Sequence, residues 1–122
     1  MSIVTAWIIP GQLLEIRLED DVSPDELQAL HHQLRDVLGY VQGRLNFLLD
    51  VTTLQAPADE TVLKLMLDRN AFLRSTKTGR VLVVGANEAQ KDMLEGVVLA
   101  LHLELYYFDS MDEALAFDVE GR

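Results

Sequence analysis

Between Gln12 and Glu19 the chain alternates, with Leu14, Ile16 and Leu18 apolar and Glu15, Arg17 and Glu19 charged. A period of two places successive side chains on opposite faces of a strand, one dry and the other wet or partly covered. The apolar run Ile3 to Ile9 just before it is cut by Pro10-Gly11, a turn pair in which proline presets the first central torsion and glycine accepts a positive second one. The two runs are therefore expected to pair as a hairpin. At Ser23 the period changes to that of a helix. Ser23, Pro24 and Glu26 supply an N-cap, a proline at the first helical position and the glutamate of a capping box. Leu27, Leu30, Leu34, Val37 and Leu38 then form one apolar stripe, which Gly39 is placed to end.

Leu45 to Asp50 predicts a third strand, and a helix is expected from about Asp59 to Ser75, apolar over more than one stripe. RVLVVG, from Arg80 to Gly85, is too continuous to be half exposed and predicts a central strand buried on both faces. Asn87 is placed to cap a helix carrying Met93, Leu94, Val97, Val98 and Leu101, within which Gly96 costs about 1 kcal/mol against alanine and so suggests close packing. Leu103 to Phe108 predicts the last strand, and Ser110 to Glu113 begins a short terminal helix. The order β-β-α-β-α-β-α-β-α predicts an α/β fold: a mixed, mostly parallel sheet of about five strands, with an antiparallel N-terminal edge strand and about four helices. No linker or repeat divides the 122 residues, so residues 1–122 are expected to form one domain.

Charge narrows the classes of partner. Twenty acidic and ten basic side chains give a net charge of -10 at pH 7, which disfavours nucleic acid or an anionic membrane as the general partner. The distribution is uneven. Lys64, Arg69, Arg74, Lys77 and Arg80 face only Asp68 in their stretch, which makes the second helix a candidate docking face for an acidic partner or for the chain's own acidic end. Absence of cysteine removes disulfides, thiolate metal sites and thiol nucleophiles and fits a cytoplasmic protein. MSIVTAWII has no preceding basic residue and stops at Pro10, so a signal peptide is not expected, and no apolar run approaches the roughly 20 residues that cross a bilayer.

In open α/β sheets ligands gather beyond the carboxyl ends of the strands, where this chain places Asp20-Asp21, Asp50 with Thr52 and Thr53, Gly85-Ala86-Asn87 and Asp109-Ser110. Clustered aspartates resemble the magnesium-holding carboxylates of a phosphoacceptor receiver domain, but YYFDS supplies no lysine after the last strand to neutralise a phosphoryl group. His31 and His32 are adjacent on a helix and diverge by about 100°, too far to chelate one ion together. GxSxG, GxxxxGK and GxGxxG are all missing. No catalytic residue, metal or cofactor is expected. The surplus apolar residues of the second and third helices, Met66, Phe72 and Met93 among them, would bury a subunit interface, line a small apolar cavity or complete the core.

LNFLLDVTTLQAPADETVLKLM, the strand RVLVVG and the closing YYFDSMDEALAF together resemble the STAS superfamily, and most of all its bacterial SpoIIAA-like branch, whose layout is shared with lipid-carrying CRAL-TRIO domains. Sporulation anti-anti-sigma factors of that superfamily present an Asp-Ser-Ser-Gly motif at a helix start, where phosphorylation of a serine breaks a protein complex. This chain has Ala56-Pro57-Ala58-Asp59 in that region, with Thr52 and Thr53 earlier, so the phosphoacceptor serine is not carried over. The resemblance implies a non-enzymatic binding or regulatory module working through protein contacts, plausibly a homodimer; the alternative it implies is a carrier of a small apolar ligand or lipid. Thr52, Thr53, Met66, Arg69, Phe72 and Met93 are the candidate interaction or ligand surface.

Overall fold

The computed structural model of the chain describes residues 3–19, 23–54, 78–101 and 104–120. One five-stranded sheet runs in chain order, β1 (Ile3–Ile9), β2 (Leu13–Leu18), β3 (Leu45–Asp50), β4 (Thr78–Val84) and β5 (Glu104–Phe108). β1 and β2 are antiparallel, and every later neighbour is parallel. Among the described residues there are three helices, α1 (Pro24–Tyr40), α2 (Glu88–Leu101) and α3 (Met111–Glu120). The further helix expected over 59–75 lies outside the described residues.

Local chemistry accounts for most element boundaries. Gln12 N donates to Ile9 O at 2.9 Å across Pro10-Gly11, and Gly11 takes φ of 73°, the positive torsion that a type II turn requires at its third residue. α1 opens on the expected capping box: Ser23 Oγ accepts from Glu26 N, and Glu26 Oε1 accepts from Ser23 N. It does not end at Gly39. Val37, Leu38 and Val41 are all buried, so the apolar stripe carries the helix to Tyr40, with Val41 as an extended C-cap donating to Val37 O, and the positive φ falls instead to Gly43. Gly96 also departs from expectation. Among the described residues a methyl group built there would meet nothing within 4 Å, and none of them requires glycine at that position.

The sheet separates two apolar layers. Toward α1 and α2 lie Leu14, Ile16, Leu18, Phe47, Leu49, Val81 and Val83 together with Leu30, Leu34 and Leu94; toward α3 lie Leu13, Leu48, Leu82, Val84 and Ala114, with Phe108, Met111 and Phe117 against them. β4 is buried on both faces, as its unbroken apolar run predicts, Val81 to Val84 being at most 2% exposed.

A polar cluster ties α3 to the amino end of the sheet. The β3–β4 register slips between Leu45 and Phe47, so that Gly79 and Arg80 both stand against Asn46. Arg80 N donates to Asn46 Oδ1 at 2.8 Å, Asn46 Nδ2 donates to the buried Asp118 at 3.4 Å, and the Arg80 guanidinium lies 3.5 Å from the same carboxylate. That guanidinium also sits 5.2 Å over the Phe117 ring. A side chain at Gly79 would collide with the Asn46 carboxamide, so glycine there is a condition of the bulge.

Because Gly96 is an exposed helix-interior glycine with no described residue within 4 Å of a built Cβ, Gly96→Ala is expected to stabilise the protein by about 1 kcal/mol, a rise of a few degrees in Tm read by calorimetry.

Candidate functional site

The carboxyl ends of β2, β3 and β4 converge on the loop from Asp50 to Leu54. Asp50 Oδ1 accepts Thr52 N at 2.9 Å, an Asx turn that bends the chain as soon as the strand stops. Val51 N donates to Val84 O and Leu54 N to Val51 O, both at 3.0 Å, and the side chains of Val51 and Leu54 are buried. Thr52 and Thr53, between these two anchors, are exposed. Their loop is thus pinned on both sides while its tip remains open to solvent.

Two further contacts brace it. Gly85 adopts φ of 80° directly against Thr52: a Cβ would collide with the Thr52 hydroxyl and lie 2.8 Å from its Cα. Only glycine fits that torsion and that spacing together. On the other side, Asn87 and Gln90 form a reciprocal capping box at the start of α2, with Gln90 N donating to Asn87 Oδ1 at 2.8 Å and Asn87 N donating to Gln90 Oε1 at 2.9 Å. The same buried Gln90 donates through Nε2 to Leu54 O at 3.1 Å. One side chain therefore caps a helix and holds the end of the loop. Thr53 Oγ1 adds a 3.4 Å contact to Leu18 O at the end of β2.

On the sheet face opposite α1, Arg17 bridges two carboxylates, with Nη2 3.5 Å from Glu15 and Nε 3.7 Å from Asp50. Arg17 and Asp50 are register partners in the β2–β3 pair, which brings the charges together across the parallel ladder. Asp50 accordingly serves both an Asx turn and an ion pair, roles that fix the loop.

Of the six candidate residues, Thr52 and Thr53 form the exposed tip of this ledge. Met93 is on α2, half-buried against the α1-side core. Met66, Arg69 and Phe72 lie outside the described residues. Sequence reasoning passed over Gln90 and Arg17, and it marked Gly85 only as a strand-end residue, without its contact to Thr52. Asn87 with Gln90 three residues on is a readable capping-box pattern, whereas the Arg17–Asp50 pairing needs a strand register that no local pattern supplies.

A mixed sheet with α1 and α2 on one face, α3 on the other and a braced loop after the central parallel strand defines a STAS-type domain. The SpoIIAA-like family profile matches residues 13–117, and the chain belongs to that family. A solved structure described as an uncharacterised protein of the DUF3478 family with a SpoIIAA-like fold, from Shewanella loihica PV-4, is similar to it with a TM-score of 0.64 and 18% identity, over 94% of this chain and 90% of that one. At that identity the likeness concerns the fold. No match was found among curated proteins.

Gly85→Ala is expected to destabilise the protein by about 2 kcal/mol, through the collision with Thr52 and a positive φ on a residue with a side chain. Gln90→Ala should cost about 1 to 2 kcal/mol by stranding Leu54 O and the Asn87 N–H. Thr52→Ala should leave the unfolding free energy, read by urea titration, within about 0.5 kcal/mol of the parent, since its side chain is exposed.

Proposed function

We propose that this chain is a non-enzymatic regulatory module that works by docking on another protein through the ledge of Thr52 and Thr53. One observation carries the reading: an exposed polar tip is held by a torsion-restricted glycine and a buried glutamine, both of which constrain the chain more than core packing requires. A preorganised loop loses little freedom on binding, which suits it to dock on a partner. The Thr53 hydroxyl proton is directed at the Leu18 carbonyl, an arrangement that positions the side chain and does not activate it as a nucleophile.

The family's serine switch has no counterpart in Ala56-Pro57-Ala58-Asp59, so recognition in this proposal depends on shape and hydrogen bonding, without phosphorylation. Among the described residues no helix is long and apolar enough to cross a membrane, in keeping with a proposed site of action in the cytoplasm. Homodimer and apolar-carrier readings rest on Met66, Phe72 and Met93, of which Met66 and Phe72 lie outside the described residues and Met93 packs against the α1-side core.

A photo-crosslinking amino acid placed at Thr52, in cells that make the protein, is expected to yield one discrete protein adduct. The same group at Asp112, exposed on α3, is expected to yield none. Equal labelling from both positions, or no adduct from Thr52, would contradict the assignment.

A further inference from the structure

β1 is an edge strand of a different kind from β5. Among the described residues nothing pairs with its outer side, and from Ile3 to Ile9 it carries no charge and no proline. Natural edges are usually blunted by a lysine, a proline or a bulge, because free N–H and C=O groups recruit further strands. Here the only such device is the register shift between Trp7 and Ile9, which leaves Ile3 to Trp7 regular.

α1 runs beside this edge and leaves a groove. One end, of about 310 Å³, is lined by Ile3, Val4, Thr5, Glu26, Ala29 and Leu30; the other, of about 340 Å³, by Ala6, Trp7, Leu14, Asp36, Val37 and Tyr40. Thr5 and Gln33 border both ends and are joined by a 2.9 Å hydrogen bond. Two of the large exposed apolar side chains of the described residues, Trp7 and Tyr40, stand together at the second end.

Charge selects the occupant. Among the described residues the groove has one carboxylate at each end, Glu26 and Asp36, and no cation in its lining. Ten helical residues separate the two carboxylates by about 15 Å. Residues four apart on an extended strand are about 13 Å apart and point to the same side. From this juxtaposition we infer that the β1–α1 groove binds an extended segment of a partner protein, added as a sixth strand along Ile3 to Trp7, with two basic residues four positions apart facing Glu26 and Asp36 and an apolar residue midway between them, over the stretch from Ala29 to Gln33. A second copy of the chain fits less well, because β1 brings no cation of its own and the whole chain carries a charge of -10. The segment's backbone supplies affinity through strand pairing, and the carboxylate pair supplies selection.

The probe is a capped nine-residue peptide with lysine at its third and seventh positions, valine at the fifth and threonine elsewhere, titrated into the full chain and followed by amide NMR. Saturable shifts confined to Ile3–Trp7 and the β1-facing side of α1 are expected. Binding should be about tenfold weaker for the same peptide with glutamate in place of both lysines, and weaker at high salt. Asp36→Lys should weaken the lysine peptide about fivefold; Asp36 is exposed and outside the α1 capping box, and the peptide exchange decides the matter should that variant fold poorly. Shifts centred on the Thr52 ledge, equal binding of both peptides, absence of saturable binding at millimolar peptide, or the same shifts arising from self-association without peptide would each overturn the inference. Crosslinking from Thr52 reads a different surface, so either result can fail without the other.

Discussion

The parallel pairing of β3 with β4 is the constraint on which the rest of the molecule depends. Both strands are almost wholly buried, and they carry side chains into both apolar layers. A pair buried on both faces has one tolerable register, because a slip of one residue would exchange the two layers throughout. Side chains, more than the ladder, hold that register at each end. At the amino end Asn46 takes up the Arg80 N–H that the bulge frees and passes the contact on to Asp118 in α3. At the carboxyl end Gly85 admits Thr52, and Gln90 holds Leu54 O.

These two locks explain why the opposite ends of the sheet differ in character. The amino-end lock centres on the buried Asp118 and joins an ion pair to an amide, an arrangement in which losing one partner strands the others and which therefore favours permanence. The carboxyl-end lock is buried below and open above, so rigidity is delivered to a surface loop. The sequential strand order has a further effect. With every crossover moving the chain one strand outward in the same direction, α1 and α2 fall on the same face, and β1, which no crossover passes, has no strand partner on its outer side among the described residues.

What could be read in advance was the chemistry that acts over a few residues. Pro10-Gly11, the box at Ser23 and Glu26, the cap at Asn87 and the doubly buried RVLVVG all depend on near neighbours, and the structure has each of them. Helix propensity gave the cost of Gly96 but not its surroundings: it is exposed, and among the described residues nothing packs against it where close packing was expected. Gly39 misled for a related reason: a glycine ends a helix only if the apolar stripe ends with it, and Val41 continues that stripe. Contacts across long separations were illegible. Asn46 and Asp118 lie 72 residues apart, and nothing local marks either as a partner of the other. For the candidate site, the two threonines were visible as strand-end residues, while the glycine and glutamine that make their loop rigid acquire meaning only once β3 and β4 are side by side.

Native-state hydrogen exchange at the exposed loop tests this account most directly. Thr52 N is bonded to Asp50 and Leu54 N to Val51 O, and the loop is clamped by Gly85 and Gln90. Both amides are therefore expected to exchange at least about a hundredfold more slowly than in a free peptide, and Gln90→Ala should remove most of that protection while leaving Val83 in β4 protected. Exchange of Thr52 and Leu54 at the free-peptide rate in the parent protein would show that the ledge is not preformed and would contradict the account.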